Sequence, residues 1–157
     1  MRRLSYWFKD RAGVVRRAKA RTGSVTFRPE LAAKVRMAMR GVDAVIHAAA
    51  LKIVPNGSYN VDELIKTNLE GTRIIFEEAI HAKVPKVLFT STDKGCLPTT
   101  SYGAAKMLAE HLACIMTDWS PDTAIACTRW GNVLDSRGAF TLAIQAWKPG
   151  DPPLSVT

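Results

Sequence analysis

Residues 86–106 read K-V-L-F-T-S-T-D-K-G-C-L-P-T-T-S-Y-G-A-A-K, and this stretch decides the fold. It opens with a short apolar run that is typical of a buried strand and closes with residues that begin a helical period. Between the two, Asp93 and Lys94 follow the strand, and Tyr102 and Lys106 lie four positions apart at the start of the helix. A strand that passes through a polar loop into a helix is the beginning of a βαβ unit.

The same alternation of apolar runs and helical periods extends on both sides. We predict strands at 24–27, 43–47, 86–90 and 123–129, and helices at 30–40, 61–81, 101–117 and 139–147. Strands that alternate with helices favour right-handed crossovers and a parallel sheet, so the predicted class is α/β.

The composition indicates one soluble globular domain. The chain has 157 residues, of which 47% are hydrophobic and 23% charged, a balance that supports a core. No apolar run approaches the roughly 20 residues that cross a bilayer. Cys96, Cys114 and Cys127 are odd in number and form no C-x-x-C pair, which argues for a reducing compartment without disulfides or a zinc site. We therefore expect a cytoplasmic protein with no bound metal.

Most of the net charge lies in the first 24 residues. This segment holds eight Lys or Arg residues and one acid, Asp10, so it carries +7 of the net charge of +8. Such an arm could contact nucleic acid or an acidic membrane surface, but a solvated terminus is the more common case. We predict that residues 1–24 form a basic arm that can be disordered, and we expect neither contact from it. Residues 25–157 form the predicted folded domain.

Tyr102 and Lys106 form a Y-x-x-x-K pair on one face of the predicted helix. A free tyrosine has a pKa of about 10, which is too high for a base at neutral pH. A neighbouring ammonium favours the phenolate, so we expect Lys106 to lower the pKa of Tyr102. The pair could then take a proton from a hydroxyl group while a hydride leaves the same carbon. Asp93 and Lys94 lie at the sheet edge where open parallel sheets bind ligands, and could shuttle further protons.

Six motifs, in order along the chain, resemble those of one enzyme family. They are G-V-D-A-V-I-H-A-A-A-L-K (41–52), K-T-N-L-E-G-T (66–72), S-T-D-K-G (91–95), P-T-T-S-Y-G-A-A-K (98–106), R-W-G-N-V (129–133) and S-R-G (136–138). With these motifs, residues 41–157 resemble the nucleotide-sugar 4,6-dehydratases of the polysaccharide-biosynthesis type. That group includes the inverting UDP-N-acetylglucosamine 4,6-dehydratases and belongs to the extended short-chain dehydrogenase/reductase superfamily.

The resemblance implies a reaction on a UDP-sugar. The family oxidises the sugar at C4 with NADP or NAD, removes the C5 proton and the C6 hydroxyl as water, and returns hydride to C6. By resemblance, Tyr102 is the base at C4, while Lys106 is its electrostatic partner and holds the nicotinamide ribose. Lys94 acts at C5, and Asp93 protonates the departing hydroxyl.

The resemblance also implies the binding residues. It assigns contacts with the substrate to Thr92 and Asn132. It assigns the cofactor, NADP or NAD, to a set of small and polar side chains: Ala48, Ala49, Ala50, Lys52, Asn68, Tyr102 and Lys106. The alanines let the backbone approach the cofactor, and Asn68 steadies the neighbouring loop.

The chain departs from the family pattern before residue 41. The family begins with a strand and a G-x-x-G-x-x-G turn that holds the cofactor pyrophosphate at a helix N-terminus. No such turn occurs here, where Gly13 and Gly23 stand alone. The resemblance therefore predicts a partial Rossmann-type doubly wound parallel sheet that lacks the first βα unit, with the substrate-binding C-terminal portion absent. An exposed sheet edge would follow, so we expect a homo-oligomer or a complementing chain.

Two alternatives stay open for the function. The chain could be a non-catalytic remnant that serves as a binding or assembly module. It could also be a nucleotide-sugar 4-epimerase, although Asp93 and Lys94 suit an elimination better than an epimerisation.

Overall fold

The computed structural model describes residues 2–10, 15–22, 29–51, 61–134 and 140–153. The strands are β1 (Arg2–Asp10), β2 (Val15–Thr22), β3 (Val42–His47), β4 (Lys86–Thr92) and β5 (Ala124–Trp130). The α-helices are α1 (Pro29–Ala38), α2 (Val61–Leu64), α3 (Gly71–His81), α4 (Ser101–Trp119) and α5 (Phe140–Ala146). A π-helix covers Ile65–Glu70, and a short 3-10 helix covers Asp93–Gly95.

One sheet organises the fold, with the strand order β2-β1-β3-β4-β5. The strands β3, β4 and β5 are parallel, and Val87 of β4 pairs with Val45 on one side and Ile125 on the other. The segments between these strands contain the helices α3 and α4, as the βαβ pattern requires. The predicted α/β class with a parallel sheet is confirmed.

Most predicted elements have observed counterparts, and the differences are local. The predicted strand at 24–27 lies outside the described residues. The predicted single helix at 61–81 is divided, because the backbone widens into a π-helix between α2 and α3. There the N–H of Gly71 donates to the carbonyl of Lys66, five residues back. Such widened turns change which side chains share a face, and they are frequent near functional sites.

Residues 2–10 and 15–22 of the basic segment form the strands β1 and β2. β1 pairs antiparallel with β3, with Tyr6 opposite His47 and Phe8 opposite Val45, and β2 pairs antiparallel with β1. The edge of β3 that we expected to be exposed is therefore covered by backbone hydrogen bonds. The sheet ends instead at β2, whose sequence V-R-R-A-K-A-R-T carries four positive charges.

The hydrophobic core lies between α1, α3, α4 and one face of the parallel strands. Its largest fully buried apolar side chains are Phe76, Phe89, Met39 and Ile75. Burial follows the strand period, because Val87 and Phe89 of β4 are buried while Leu88 between them is partly exposed. On the face away from this core, Ile46 of β3 is 43% exposed. None of the described helices is long and apolar enough to cross a membrane.

An ion pair joins α1 to α3 at the rim of the core. The Arg36 guanidinium donates to both carboxylate oxygens of Glu78, with Nη2 2.8 Å from Oε1. The Glu78 side chain is only 5% exposed, whereas that of Arg36 is 53% exposed. The hydrogen bond from Arg36 holds the pKa of Glu78 below its ordinary value. A buried carboxylate depends on such a partner, so the pair fixes α1 against α3.

We predict that Glu78→Gln lowers the free energy of unfolding and that the loss depends on pH. The folded pKa of Glu78 is depressed, so its contribution is complete above the unfolded pKa of about 4.3 and disappears as pH falls through the folded pKa. Urea unfolding of the parent and the variant, measured from neutral to acidic pH, should give curves that converge in acid.

The matched control is Glu77→Gln. Glu77 pairs with Arg73 on the surface of the same helix, at 3.2 Å, and its side chain is 38% exposed. Because exposed pairs contribute little, this variant should unfold almost as the parent does at every pH. Equal losses in the two variants would contradict the role given to Glu78.

Candidate functional site

A cavity of about 520 Å³ opens at the carboxyl ends of β3, β4 and β5. Its lining residues are Ala48, Ala50, Thr90, Ser91, Thr92, Lys94, Tyr102, Lys106, Trp130, Gly131, Asn132 and Val133. Three parallel strands end at this edge, and the segments that follow them supply most of the lining. Open α/β sheets bind ligands at this edge.

The turn after β4 brings together three of the predicted site residues. Thr92 Oγ1 donates to Asp93 Oδ1 at 2.9 Å, and Lys94 Nζ lies 3.4 Å from the same oxygen. Lys94 Nζ also donates to Asn132 Oδ1 at 3.3 Å, which joins this turn to the segment after β5. The hydrogen bond from Thr92, aided by Lys94, lowers the pKa of Asp93, so the carboxyl group is ionised at neutral pH. Asp93 itself does not line the cavity but is bonded to two residues that do.

The first turn of α4 is held very close to this turn. Thr100 caps the helix, since its Oγ1 accepts from the N–H of Gly103 at 3.1 Å. A Cβ atom placed on Gly103 would lie 2.3 Å from the carbonyl oxygen of Lys94. Only glycine allows this approach, which fixes Tyr102 on α4 relative to Lys94.

Tyr102 lines the cavity, but its pKa differs from our expectation. Burial, and after it the negative charge of Asp93, raise the pKa of Tyr102 above its ordinary value. The sequence predicts a lowering by Lys106, but in the structure that ammonium donates to a backbone carbonyl below the cavity. The phenol is therefore protonated at neutral pH in the free protein.

Lys106 forms part of the inner wall of the cavity. It is 3% exposed, its Nζ donates to the carbonyl of Thr90 at 2.8 Å, and the same atom lies 4.4 Å from the centre of the Phe89 ring. Burial lowers the pKa of Lys106 to about 8, partly opposed by the negative charge of Glu110. Such a lysine changes its charge near neutral pH far more readily than one on the surface.

The loop after β3 contains the three alanines, and the structure separates their positions. Ala48 and Ala50 line the cavity, as expected for residues beside a ligand. Ala49 is 4% exposed and belongs to the hydrophobic core, and the expectation that the backbone of all three alanines passes close to the cofactor stays a prediction. Consecutive residues in extended backbone point to opposite sides, and Ala49 is the one that points inward.

Asn68, a further predicted cofactor residue, lies away from the cavity lining. Asn68 is 1% exposed, and its side chain bonds both backbone groups of Leu51, with Oδ1 accepting at 2.7 Å and Nδ2 donating at 3.0 Å. These two bonds tie Asn68 to the loop, and Asn68 is not among the residues that line the cavity. Lys52 lies outside the described residues.

Sequence reasoning missed Trp130, which forms part of the cavity wall. Trp130 is the last residue of β5, and its indole N–H donates to Thr128 Oγ1 at 2.9 Å. Gly131, which follows, places no side chain between this wall and Asp93. The signal in the sequence was the position of Trp130 and Gly131, which lie at the end of a strand and directly after it. This is the sheet edge where ligands bind.

The arrangement can move protons on a hydroxyl-rich ligand. A phenol, two amines and a carboxylate meet around one cavity: Tyr102, Lys94, Lys106 and Asp93. Among the residues that the structure describes, no three His, Cys, Asp or Glu side chains are placed to hold a metal ion. A phenol, amines and a carboxylate can exchange protons with a bound ligand.

We predict that Gly103→Ala separates α4 from the turn that carries Lys94. Overpacking of this kind costs about 1–3 kcal/mol, and the better helix propensity of alanine offsets at most ~1 kcal/mol. Gly95→Ala is the control, because its added Cβ would meet the Glu110 carboxylate at 3.4 Å, an ordinary contact. Urea unfolding should give a higher free energy of unfolding for the parent and for Gly95→Ala than for Gly103→Ala. A Gly103→Ala variant as stable as the parent would contradict the tight approach.

Comparison with known proteins identifies relatives of this chain. The family described as polysaccharide biosynthesis protein matches residues 17–157. The UDP-N-acetylglucosamine 4,6-dehydratase (inverting) of Campylobacter jejuni subsp. jejuni serotype O:23/36 is 41% identical over 108 residues, which are 68% of this chain and 32% of that protein. A UDP-glucose 4-epimerase of Rickettsia prowazekii is 46% identical over 104 residues, which are 65% of this chain and 30% of that protein. The chain thus spans about a third of the length of these curated relatives.

Solved structures have the same fold. The X-ray structure of Pen from Bacillus thuringiensis matches with a TM-score of 0.64 and 40% identity, covering 69% of this chain and 34% of the other. The dTDP-glucose 4,6-dehydratase DesIV from Streptomyces venezuelae, crystallised with NAD bound, matches with a TM-score of 0.56 and 25% identity, covering 61% of this chain and 34% of the other. With a family match over residues 17–157 and this shared fold, the chain belongs to the polysaccharide biosynthesis protein family.

Proposed function

We propose that this chain carries the catalytic groups of an NAD(P)-dependent nucleotide-sugar 4,6-dehydratase that acts on a UDP-sugar such as UDP-N-acetylglucosamine. One observation carries the proposal. Tyr102, Lys106 and Lys94 line the same cavity, and Asp93 is bonded to Lys94 at its edge. The relative in Campylobacter jejuni that is named for this reaction supports the choice of substrate and reaction.

The inner end of the cavity fits the nicotinamide and ribose of NAD or NADP. Ala48 and Ala50 leave room beside the loop, and the Lys106 ammonium is the donor for the ribose hydroxyls. The sequence has no G-x-x-G-x-x-G turn to hold the pyrophosphate, so the fit is limited to this end of the cofactor. When bound, the nicotinamide would accept a hydride from the sugar and later return it.

Tyr102 would take the proton of the C4 hydroxyl. Its raised pKa means that the phenol starts protonated, so a positive charge must favour the phenolate as the ligand fills the cavity. Lys106 is the buried cation four residues along the same helix. Expulsion of water by the ligand would strengthen this electrostatic effect.

Lys94 and Asp93 would remove water from C5 and C6. The lowered pKa of Asp93 makes it a carboxylate at neutral pH, so it must receive a proton before it can donate one. We propose that Lys94 gives an ammonium proton to Asp93 across their 3.4 Å contact and, as the amine, takes the C5 proton. Asp93 then protonates the departing C6 hydroxyl, which leaves as water while the C5–C6 double bond forms. Protons and electrons balance without another reactant in this elimination.

The dehydration can be tested by mass spectrometry of UDP-N-acetylglucosamine incubated with the full chain and NAD or NADP. We predict a product that has lost one water, and a decrease of about 10²–10⁴-fold in its formation rate with Lys94→Met. Lys86→Met is the control, because Lys86 is exposed at the opposite end of the same strand. Unaltered dehydration by Lys94→Met would remove Lys94 from the mechanism.

The 4-epimerase is the second candidate, favoured by the relative in Rickettsia prowazekii that carries that name. Tyr102 and Lys106 would suffice for it, because epimerisation returns the hydride to C4. Its product has the same mass as the substrate, so the same experiment separates the two reactions. Absence of cofactor and sugar binding in calorimetry would instead support the non-catalytic binding module.

We predict that NAD binding weakens as pH rises through about 8, where the buried Lys106 loses its charge. The ammonium form, which prevails below this pKa, is the form that donates to the ribose. Isothermal titration with NAD at pH values on both sides of this pKa should show the weaker binding at high pH in the parent and in Lys86→Met. With Lys106→Met, the affinity should be low at every pH, and a persistent pH dependence would assign the titration to another group.

Association with a second chain, identical or complementing, is also part of the proposal. Sedimentation at several protein concentrations should show self-association, and a monomer throughout would contradict it. A cytoplasmic location agrees with the free thiols of Cys96, Cys114 and Cys127.

A further inference from the structure

His47, at the carboxyl end of β3, is a polar residue in the middle of the core. It is 1% exposed, and its ring stacks on Phe89, with 5.4 Å between the ring centroids. The edge of Phe76 also packs against it. Its Nε2 atom lies 2.9 Å from Thr72 Oγ1. An apolar residue would fill this volume without the cost of burying an imidazole, so the polar contact needs a reason.

The direction of this hydrogen bond follows from the next one. Thr72 has a single hydroxyl proton, and its Oγ1 donates to the carbonyl oxygen of Asn68 at 2.7 Å. A carbonyl can only accept, so the Thr72 proton is used there and His47 Nε2 must be the donor. The imidazole is therefore the Nε2–H tautomer.

The chain of hydrogen bonds continues to the cavity wall. The carbonyl of Asn68 accepts from Thr72, and the side chain of Asn68 bonds the N–H and the C=O of Leu51. Leu51 lies in the same loop as Ala48 and Ala50, which line the cavity. The imidazole is thus two hydrogen bonds away from the residue that anchors this loop.

A second connection leads from His47 toward Lys106. The backbone carbonyl of His47 accepts from Thr90 Oγ1 at 3.3 Å, and the carbonyl of Thr90 accepts from Lys106 Nζ. Phe89 lies between the imidazole and the ammonium, in contact with both. His47 is therefore connected both to Asn68, which anchors the loop, and to the buried Lys106 ammonium.

We propose that His47 is a positioning residue that holds the 48–51 loop in place through Thr72 and Asn68, as a neutral hydrogen-bond donor. The effect of His47 on cofactor affinity rests on the proposed function, whereas its effect on the loop does not. Burial, and after it the charge of Lys106, lower the pKa of His47 to about 3, which agrees with a neutral ring. An arginine or lysine in its place would add a charge beside Lys106, and leucine would lose the donor.

The loop can be tested without any ligand. Hydrogen exchange at the Leu51 amide, which donates to Asn68, reports directly on the anchor. We expect His47→Leu to increase the exchange rate at Leu51 about tenfold, the factor that corresponds to ~1.4 kcal/mol. His47→Gln keeps an N–H donor at similar reach and should restore slow exchange. Equal exchange in the two variants, with both folded by circular dichroism, would overturn the proposal.

Thr72 supplies an independent pair of variants. Thr72→Val removes the hydroxyl at nearly constant shape and should reproduce the effect of His47→Leu, while Thr72→Ser should not. If one chain of bonds is responsible, His47→Leu combined with Thr72→Val should exchange no faster than either alone. Additive effects would mean that the two residues act separately and would contradict the chain. Nitrogen-15 chemical shifts of the imidazole must also correspond to the Nε2–H tautomer.

A binding experiment with the cofactor links the role of His47 to the proposed function. Calorimetry with NAD should give weaker binding to His47→Leu than to His47→Gln. If the parent binds no NAD, the proposed function fails while the exchange result still decides the role of His47. If the parent binds NAD and the two variants bind equally well, the loop is not positioned by His47 for the cofactor, and that part of the inference is overturned.

Discussion

The parallel pairing of β4 between β3 and β5 is the constraint on which the other features depend. It buries Phe89 and Val87 against the helices, and it aligns the carboxyl ends of three strands at one edge. The turn with Asp93 and Lys94 begins where β4 ends, and the carbonyl of Thr90 on this strand receives the ammonium of Lys106. Without this pairing, the ionisable groups would have no common cavity.

Burial shifts the pKa values of two groups in the site, Lys106 and Tyr102. Lys106 is nearly inaccessible, yet it keeps a carbonyl acceptor and the face of an aromatic ring, which partly replace the water it has lost. Tyr102 has its pKa raised by the same low polarity and by Asp93. A charged ligand in the cavity can therefore change the ionisation of Lys106 and Tyr102, and such shifted pKa values are common at catalytic sites.

The fold and the identity of the chemical groups could be predicted, because both are written in local patterns. The apolar run before Thr92 and the helical period after Thr100 required only neighbouring residues, and α4 and β4 agree with them. The arm was harder to predict. Strand β1 is stabilised by pairing with residues near His47, far along the chain, and a basic composition carries no signal for such a contact.

By itself, the sequence determined the α/β class, the order of strands and helices, and the presence of a tyrosine, two lysines and an aspartate near one sheet edge. Only the tertiary structure decided that Ala49 faces the core, that the pKa of Tyr102 is raised, and that His47 donates to Thr72. The physical reason is the distance along the chain over which each effect acts. Periodicity and helix caps act over a few residues, whereas burial, charge and hydrogen-bond direction depend on groups that only the folded chain brings together.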